Sequence, residues 1–457
     1  MASLSAAEVF SRWSAQLPAA ALPEALRESI GNAVLDFAGL CLAARDTPYV
    51  AAALQAWDGA GACTAIGHAR AFDAAGAAVV NGMAAHGEDY DDTFEGTPVH
   101  TGAVILPAVL AACEAHGRSG ADALRGIAVG VELMCRMALV APTAIHRAGF
   151  HPTAVIGALG AAAAVSAALG LDARQSTDAI GIAGSLASGI IEYLAEGTWS
   201  KRLHPGWAAQ SGLRAALLGR AGFSGPRTVL EGEHGFFRAF GVAAIAPDFS
   251  HLTSGLGETW HAAWVAFKPY ACGTMCQPFI DCAIALAREG VRAQDIARIE
   301  CNVGEGTVHR LWEPAEEKRN PSSSYSAKFS VPFCIAVAFL DGAAGLAQFS
   351  EARVADPAVR ALAAKVSYRI DPANEYPRNY SGHLRVTRSD GGVREIVQPH
   401  LRGGRHEPLS RAELEAKFFA NARFGGCSEL QTAALLAACR GAFAAPRLDF
   451  LAAFRLA

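Results

Sequence analysis

Apolar residues recur at spacings of three and four through the first half of the chain, a period that predicts helix after helix. Ile30, Val34, Phe37 and Cys41 mark one such face, and Val79, Met83 and His86 repeat the pattern further on. Ser5 followed by Glu8 has the spacing of a capping box, which satisfies orphan N–H groups where a helix begins. Across residues 150–222 the helical stretches are so rich in Ala and Gly that their backbones can approach closely. That composition predicts a tightly packed, fully buried helical core.

After residue 265 the period changes to two. Ile299, Cys301 and Val303 alternate with Arg298, Glu300 and Asn302, and Val366, Tyr368 and Ile370 alternate likewise, as in half-buried strands. Leu384 and Val386 alternate with Arg385 and Thr387, then Asp390-Gly391-Gly392 supplies turn residues before Val393 and Ile396, which predicts a hairpin. Helical character resumes at Ser410, whose Glu413 repeats the capping-box spacing. The pattern describes a mainly α protein: a large helical domain of residues 1–265 plus 400–457, with an inserted smaller α+β domain of residues 266–399. Thr153 to Leu171 runs without a charge and is long enough to test as a membrane span. Its Ala and Gly gain little on transfer into lipid, so a buried core helix is expected and no membrane partner.

Composition narrows the classes. With 457 residues, 52% hydrophobic and 18% charged, the chain lies outside the range of disorder. Its net charge of −4 and the lack of any Lys/Arg block remove the electrostatic footprint of a dedicated nucleic-acid binder. The start MASLSAAEVFSRWSAQLP, broken by Glu8 and Arg12, lacks the design of a secretory signal, so a cytoplasmic protein with reduced thiols is expected. Cys272, Cys276 and Cys282 have spacings that fit neither a zinc ribbon nor the common iron–sulfur runs, and read as small buried hydrophobes. Dinucleotide, P-loop, zincin and nucleophile-elbow signatures are missing.

Polar islands in this apolar chain carry the candidate chemistry. In NGMAAHGEDYDDTFEGTPVHTGAVILPA, continuation of the helix of Val79 and Met83 would put His86, Asp89, and Asp92 or Thr93 on one face. The alternative is a solvated helix end. His100 follows, just before an apolar run, and His151 introduces the most apolar helix of the chain; each could equally cap its element. Lys201, Arg202 and His204 lie between Trp199 and Trp207, a cationic cluster suited to an anion such as a carboxylate, or else a solvated surface loop. Lys268, in AFKPYACGTMCQPFIDCA, stands at the predicted domain junction.

The segments AHGEDYDDT…VHTGAVILPA, GFHPTAVIGALGAA, SKRLHPGWAAQSGLRAALL, GFSGPRTVLEGEHGFF, KPYACGTMCQPFIDCA and SAKFSVPFCIAVAFLDG, in this order, resemble the 2-methylcitrate dehydratase or MmgE/PrpD family over essentially the whole chain. The resemblance implies a helical domain with an α+β lid, a homodimer, and no metal or organic cofactor. It implies an enzyme working by proton traffic beside a carboxylate of a small polycarboxylate. Carried over by motif, it points to His100, His151 and Asp89 as catalytic, and to Lys201, Lys268 and Thr93, with Arg202, as substrate-binding. The two histidines are then the acid and base, in either order, and Asp89 orients one of them. The leading expectation is a hydro-lyase of the 2-methylcitrate dehydratase type. Alternatives are a decarboxylase of the cis-aconitate type, an epimerase of the iminodisuccinate type, and a non-catalytic carboxylate-binding protein. Gln277, where many relatives carry histidine, and Phe333, where many carry tyrosine, each remove a potential proton donor and weigh against both a true 2-methylcitrate dehydratase and a true cis-aconitate decarboxylase.

Overall fold

The computed structural model describes residues 4–95, 97 and 99–456. The protein is mostly helical with a small mixed sheet, and the chain divides into two compact units. The larger comprises Met1–Gly87, Asp91–Val265 and Arg411–Ala457. Its first helix, α1 (Ala6–Gln16), opens on the expected capping box: Ser5 Oγ accepts from Glu8 N–H at 3.2 Å and Glu8 Oε2 from Ser5 N–H at 2.8 Å. The main helices that follow are α2 (Glu24–Ala44), α3 (Ala74–His86), α4 (Gly102–His116), α5 (Gly120–Val140), α6 (Pro152–Leu169), α7 (Ala173–Leu186) and α8 (Ser200–Arg220). The C-terminal helix Arg411–Phe424 returns against α2, where Lys417 Nζ meets Asp36 Oδ1 at 2.6 Å in a buried ion pair.

At the centre of this unit α6 packs against α4, α5, α7 and α8. It is the one described helix long and apolar enough to cross a membrane, and 94% of it is buried inside the protein. Small residues make that possible. A Cβ on Gly160 would lie 2.4 Å from Met134 Cγ on α5, and one on Gly212 of α8 would lie 2.5 Å from the backbone nitrogen of Ala162. Where α3 crosses α8, a Cβ on Gly82 would come within 2.5 Å of Gly206 Cα, and one on Gly206 within 2.3 Å of the Val79 carbonyl. The two backbones touch there, so neither position has room for a side chain.

The smaller unit comprises Glu88–Tyr90 and Ala266–Ser410. It holds the helices α9 (Gln277–Arg288) and α10 (Val331–Asp341) and four strands: β1 (Ile296–Val303), β2 (Val366–Ile370), β3 (Gly382–Arg388) and β4 (Val393–Gln398). The sheet order is β2-β1-β3-β4, with β1 and β2 parallel and the other pairs antiparallel. Ile299, Cys301 and Val303 face inward as their alternation predicts, and a register shift between Ile296 and Arg298 lets Ile296 be buried too. The hairpin β3–β4 turns at Gly391, whose φ of +86° suits glycine. Residues 400–410, placed by the sequence pattern with the helical domain, belong to this unit; Gly403 O accepts from Phe267 N–H at 2.9 Å and ties them to it.

The α3–α8 crossing generates a prediction. Gly206→Val must push the helices apart, so its urea unfolding midpoint should fall by an amount equivalent to about 1–3 kcal/mol. An unchanged midpoint would refute backbone contact at that crossing.

Candidate active site

Helix α3 ends at His86. Gly87 closes it by donating to the Met83 carbonyl at 3.0 Å, and Asp89 takes a φ of +53°, a conformation no right-handed helix can continue. The expectation that His86, Asp89 and Asp92 or Thr93 share one helical face is therefore corrected: the helical period stops before the acidic run. Glu88, Asp89 and Tyr90 group with the smaller unit, where each has a partner. Lys328 Nζ bonds both the carbonyl and Oε2 of Glu88 at 2.6 Å, Lys268 Nζ donates to the Asp89 carbonyl at 2.8 Å, and Tyr90 OH donates to the Pro269 carbonyl at 3.0 Å. In the same unit Gln277 is fully buried, and its Oε1 makes no hydrogen bond among the described residues. Phe333 packs against Phe349. Tyr270 OH donates to Asp281 Oδ1 at 2.6 Å, and burial raises Asp281 to about 6.

The larger unit resumes at Asp91, and there the histidines gather. Asp91 Oδ2 lies 2.7 Å from His86 Nδ1 and 3.4 Å from His100 Nδ1. His100 Nδ1–H also donates to the Asp92 carbonyl at 2.8 Å, and its backbone N–H donates to Thr153 Oγ1 on α6 at 3.1 Å. A carbonyl can only accept, so the proton of neutral His100 is on Nδ1 and Nε2 is left with the lone pair of a base. The Asp92 carboxylate caps α4, accepting from Thr101 Oγ1 at 2.6 Å and from Gly102 N–H at 2.9 and 3.0 Å. Burial, then the neighbouring Asp91 charge, pushes Asp92 up to about 7. Thr93 is buried in the short strand Thr93–Phe94.

His151 occupies the N-cap position of α6, but its ring does not cap. Its Nδ1 lies 3.1 Å from His204 Nδ1 on α8, and the His86 ring stands 5.8 Å from His151 and 4.8 Å from His100 between centroids. Tyr193 packs edge-on against both members of the pair, with centroids at 6.0 and 5.8 Å. Lys201, buried in the first turn of α8, adds positive charge beside them. Burial first, then the neighbouring His86, holds both rings below the ordinary imidazole range, with His204 pushed down to about 4. Arg202 lays its guanidinium over the Tyr49 ring at 4.4 Å.

The larger unit thus brings together His100, His151 and Lys201, while Asp89 and Lys268 lie in the smaller one. A carboxylate bonded to a histidine, the part expected of Asp89, is supplied by Asp91. Sequence reasoning did not single out Asp91, and it named His204 only as part of a cationic cluster. Ligand atoms of His86, Asp91 and His100 lie within 4.8 Å of one another and could surround a cation. In the present arrangement the Nδ1 atoms that face Asp91 are engaged in hydrogen bonds, and an ion ligated there would have to displace their protons.

This is a site of imidazoles steered by a buried carboxylate, beside a lysine, on a packed helical scaffold. Residues 8–245 match the MmgE/PrpD N-terminal domain and residues 270–439 the MmgE/PrpD C-terminal domain, so the chain belongs to the MmgE/PrpD family. The cis-aconitate decarboxylase of Homo sapiens is 32% identical to it over 355 residues, 76% of this chain and 72% of that protein. The cis-aconitate decarboxylase of Mus musculus is 31% identical over 357 residues, 76% of this chain and 71% of that one. The cis-aconitate decarboxylase of Aspergillus terreus (strain NIH 2624 / FGSC A1156) is 28% identical over 432 residues, 89% and 87% respectively.

The depressed pair predicts acid sensitivity. The unfolded chain binds protons on these histidines below the ordinary value of 6.5, whereas the folded protein keeps His204 neutral down to about 4. Stability contributed by this pair is therefore present above pH 6.5 and lost as pH falls toward 4. Removing one such group should flatten the dependence by up to about 1.4 kcal/mol per pH unit. Urea midpoints at pH 7.5, 6 and 5 for the native protein and His204→Asn check this; parallel curves would contradict it.

Proposed function

We propose that this protein is an enzyme that decarboxylates a small unsaturated tricarboxylate of the cis-aconitate kind. The observation that carries the reading is the buried cluster of His100, His151 and Lys201 in a chain whose relatives are named as cis-aconitate decarboxylases. Resemblance alone put dehydration of a hydroxy acid first; the named relatives favour loss of CO₂. Dehydration needs an acid on a departing hydroxyl, whereas this decarboxylation needs a proton delivered only to carbon.

In such a substrate a carboxylate on a carbon next to the double bond leaves as CO₂. The electron pair of the broken bond shifts across the double bond to a carbon beside another carboxylate, and that carbon takes one proton. Developing charge on that carbon and its carboxylate is stabilised by a cation already in place, the role this reading gives Lys201. His100 and His151 hold the protons in play, and Asp91 keeps the rings oriented.

Incubation with cis-aconitate in D₂O should release CO₂ and leave one deuterium on the carbon beside the receiving carboxylate, both read by NMR. Water loss from 2-methylcitrate without CO₂ release from cis-aconitate would overturn the reading in favour of a hydro-lyase. Lys201→Ala should lower kcat/KM at least about tenfold, as removal of a charged partner worth roughly 1.5–3 kcal/mol demands. Unchanged kinetics would remove Lys201 from the site.

A further inference from the structure

His204 has no part in the reaction described above, yet its Nδ1 lies 3.1 Å from His151 Nδ1. Both rings are buried, and the geometry around them allows little choice. The His151 backbone N–H donates to the Gly189 carbonyl at 2.9 Å. A Cβ on Gly189 would touch the His204 ring at 3.4 Å, so the backbone of residue 189 closely approaches that imidazole. Tyr193 covers the edges of both rings. The charged and titratable groups facing the pair are Lys201 from the same helix as His204, and His86 at the end of α3 with His100 beyond it.

Two Nδ1 atoms at 3.1 Å can share one proton and no more, because one must donate and the other accept. We propose that His204 is a positioning residue acting through His151: the shared proton sets the tautomer of His151, so that His151 offers an Nε2–H acid when the pair is charged and a bare Nε2 base when it is neutral. The proton count balances. In the charged pair His204 carries protons on both nitrogens and donates from Nδ1, while His151 accepts at Nδ1 and holds its proton on Nε2. As His151 gives that proton to carbon, the shared proton crosses from His204 Nδ1 to His151 Nδ1. Both rings end neutral, His151 protonated on Nδ1 and His204 on Nε2, and no imidazolate forms. The reverse sequence takes a proton from carbon. A polyanionic substrate favours the charged pair, which burial otherwise opposes.

This deepens the decarboxylase reading and rests on it for the proton's destination, but the pairing itself is testable without turnover. In protein labelled with ¹⁵N-histidine, with signals assigned through His151→Gln and His204→Phe, the two resting rings should show opposite tautomers. Propane-1,2,3-tricarboxylate, which has no double bond to receive the electron pair, should move both rings together toward the charged form. In His204→Phe the His151 tautomer should be lost to averaging, and kcat on cis-aconitate should fall at least tenfold with KM within about threefold. His204→Asn, which keeps one polar atom near Nδ1, should recover part of kcat with a displaced acidic limb of the pH profile. Identical tautomers in the resting rings, or a folded His204→Phe with native kcat and pH profile, would overturn the proposal. If the phenylalanine variant does not fold, the resting spectrum and the asparagine variant decide it. Opposite tautomers in a protein that turns over no tricarboxylate would support the pairing and sink only the reaction reading.

Discussion

Contact between backbones at the glycines of α3 and α8, with each other and with α6, is the constraint on which the larger unit depends. His86 stands at the end of α3, His151 at the start of α6, and Lys201 and His204 in the first turns of α8. With Gly82 against Gly206 and Gly212 against α6, three helix ends are brought close enough for imidazoles to touch. Larger residues at these crossings would separate the ends by ångströms, and hydrogen bonds of 2.7–3.1 Å do not survive such a shift.

On that scaffold the electrostatics are arranged by few groups. Asp91 is the buried negative charge that faces His86 and His100, and Asp92, capping α4, is held partly protonated near neutral pH. Away from Asp91, His151 and His204 have no carboxylate partner among the described residues and feel chiefly burial and the neighbouring His86 and Lys201. The His151–His204 end of the imidazole array is thus kept from the protonated form.

Much of the architecture was legible in the sequence because it rests on local chemistry. The Ser5–Glu8 capping box, the alternation around Ile299 and Val366, the Asp390-Gly391-Gly392 turn and the Ala/Gly-rich core each depend on a few adjacent residues. What escaped depends on a break in period or on distance along the chain. Extending the helix past Gly87 favoured Asp89 over Asp91, since periodicity cannot foresee a left-handed residue. His151 and His204 are 53 positions apart and meet only because α6 packs on α8, so no motif could couple them. The family pattern pointed to His100, His151 and Lys201, which the larger unit brings together, but is silent on the neighbours they meet there.

The near absence of long side chains from α6 has a consequence for how this protein can change. Ala and Gly lose no rotamer freedom on burial, so ordering this helix incurs only the backbone's entropy. Where a glycine meets backbone, as Gly206 and Gly212 do, the core cannot absorb a substitution by turning a side chain; an atom added there displaces a helix axis, and with it an imidazole. Divergence in substrate should therefore concentrate in the loops around the helix ends, while the glycine crossings of α3 and α8 admit no side chain.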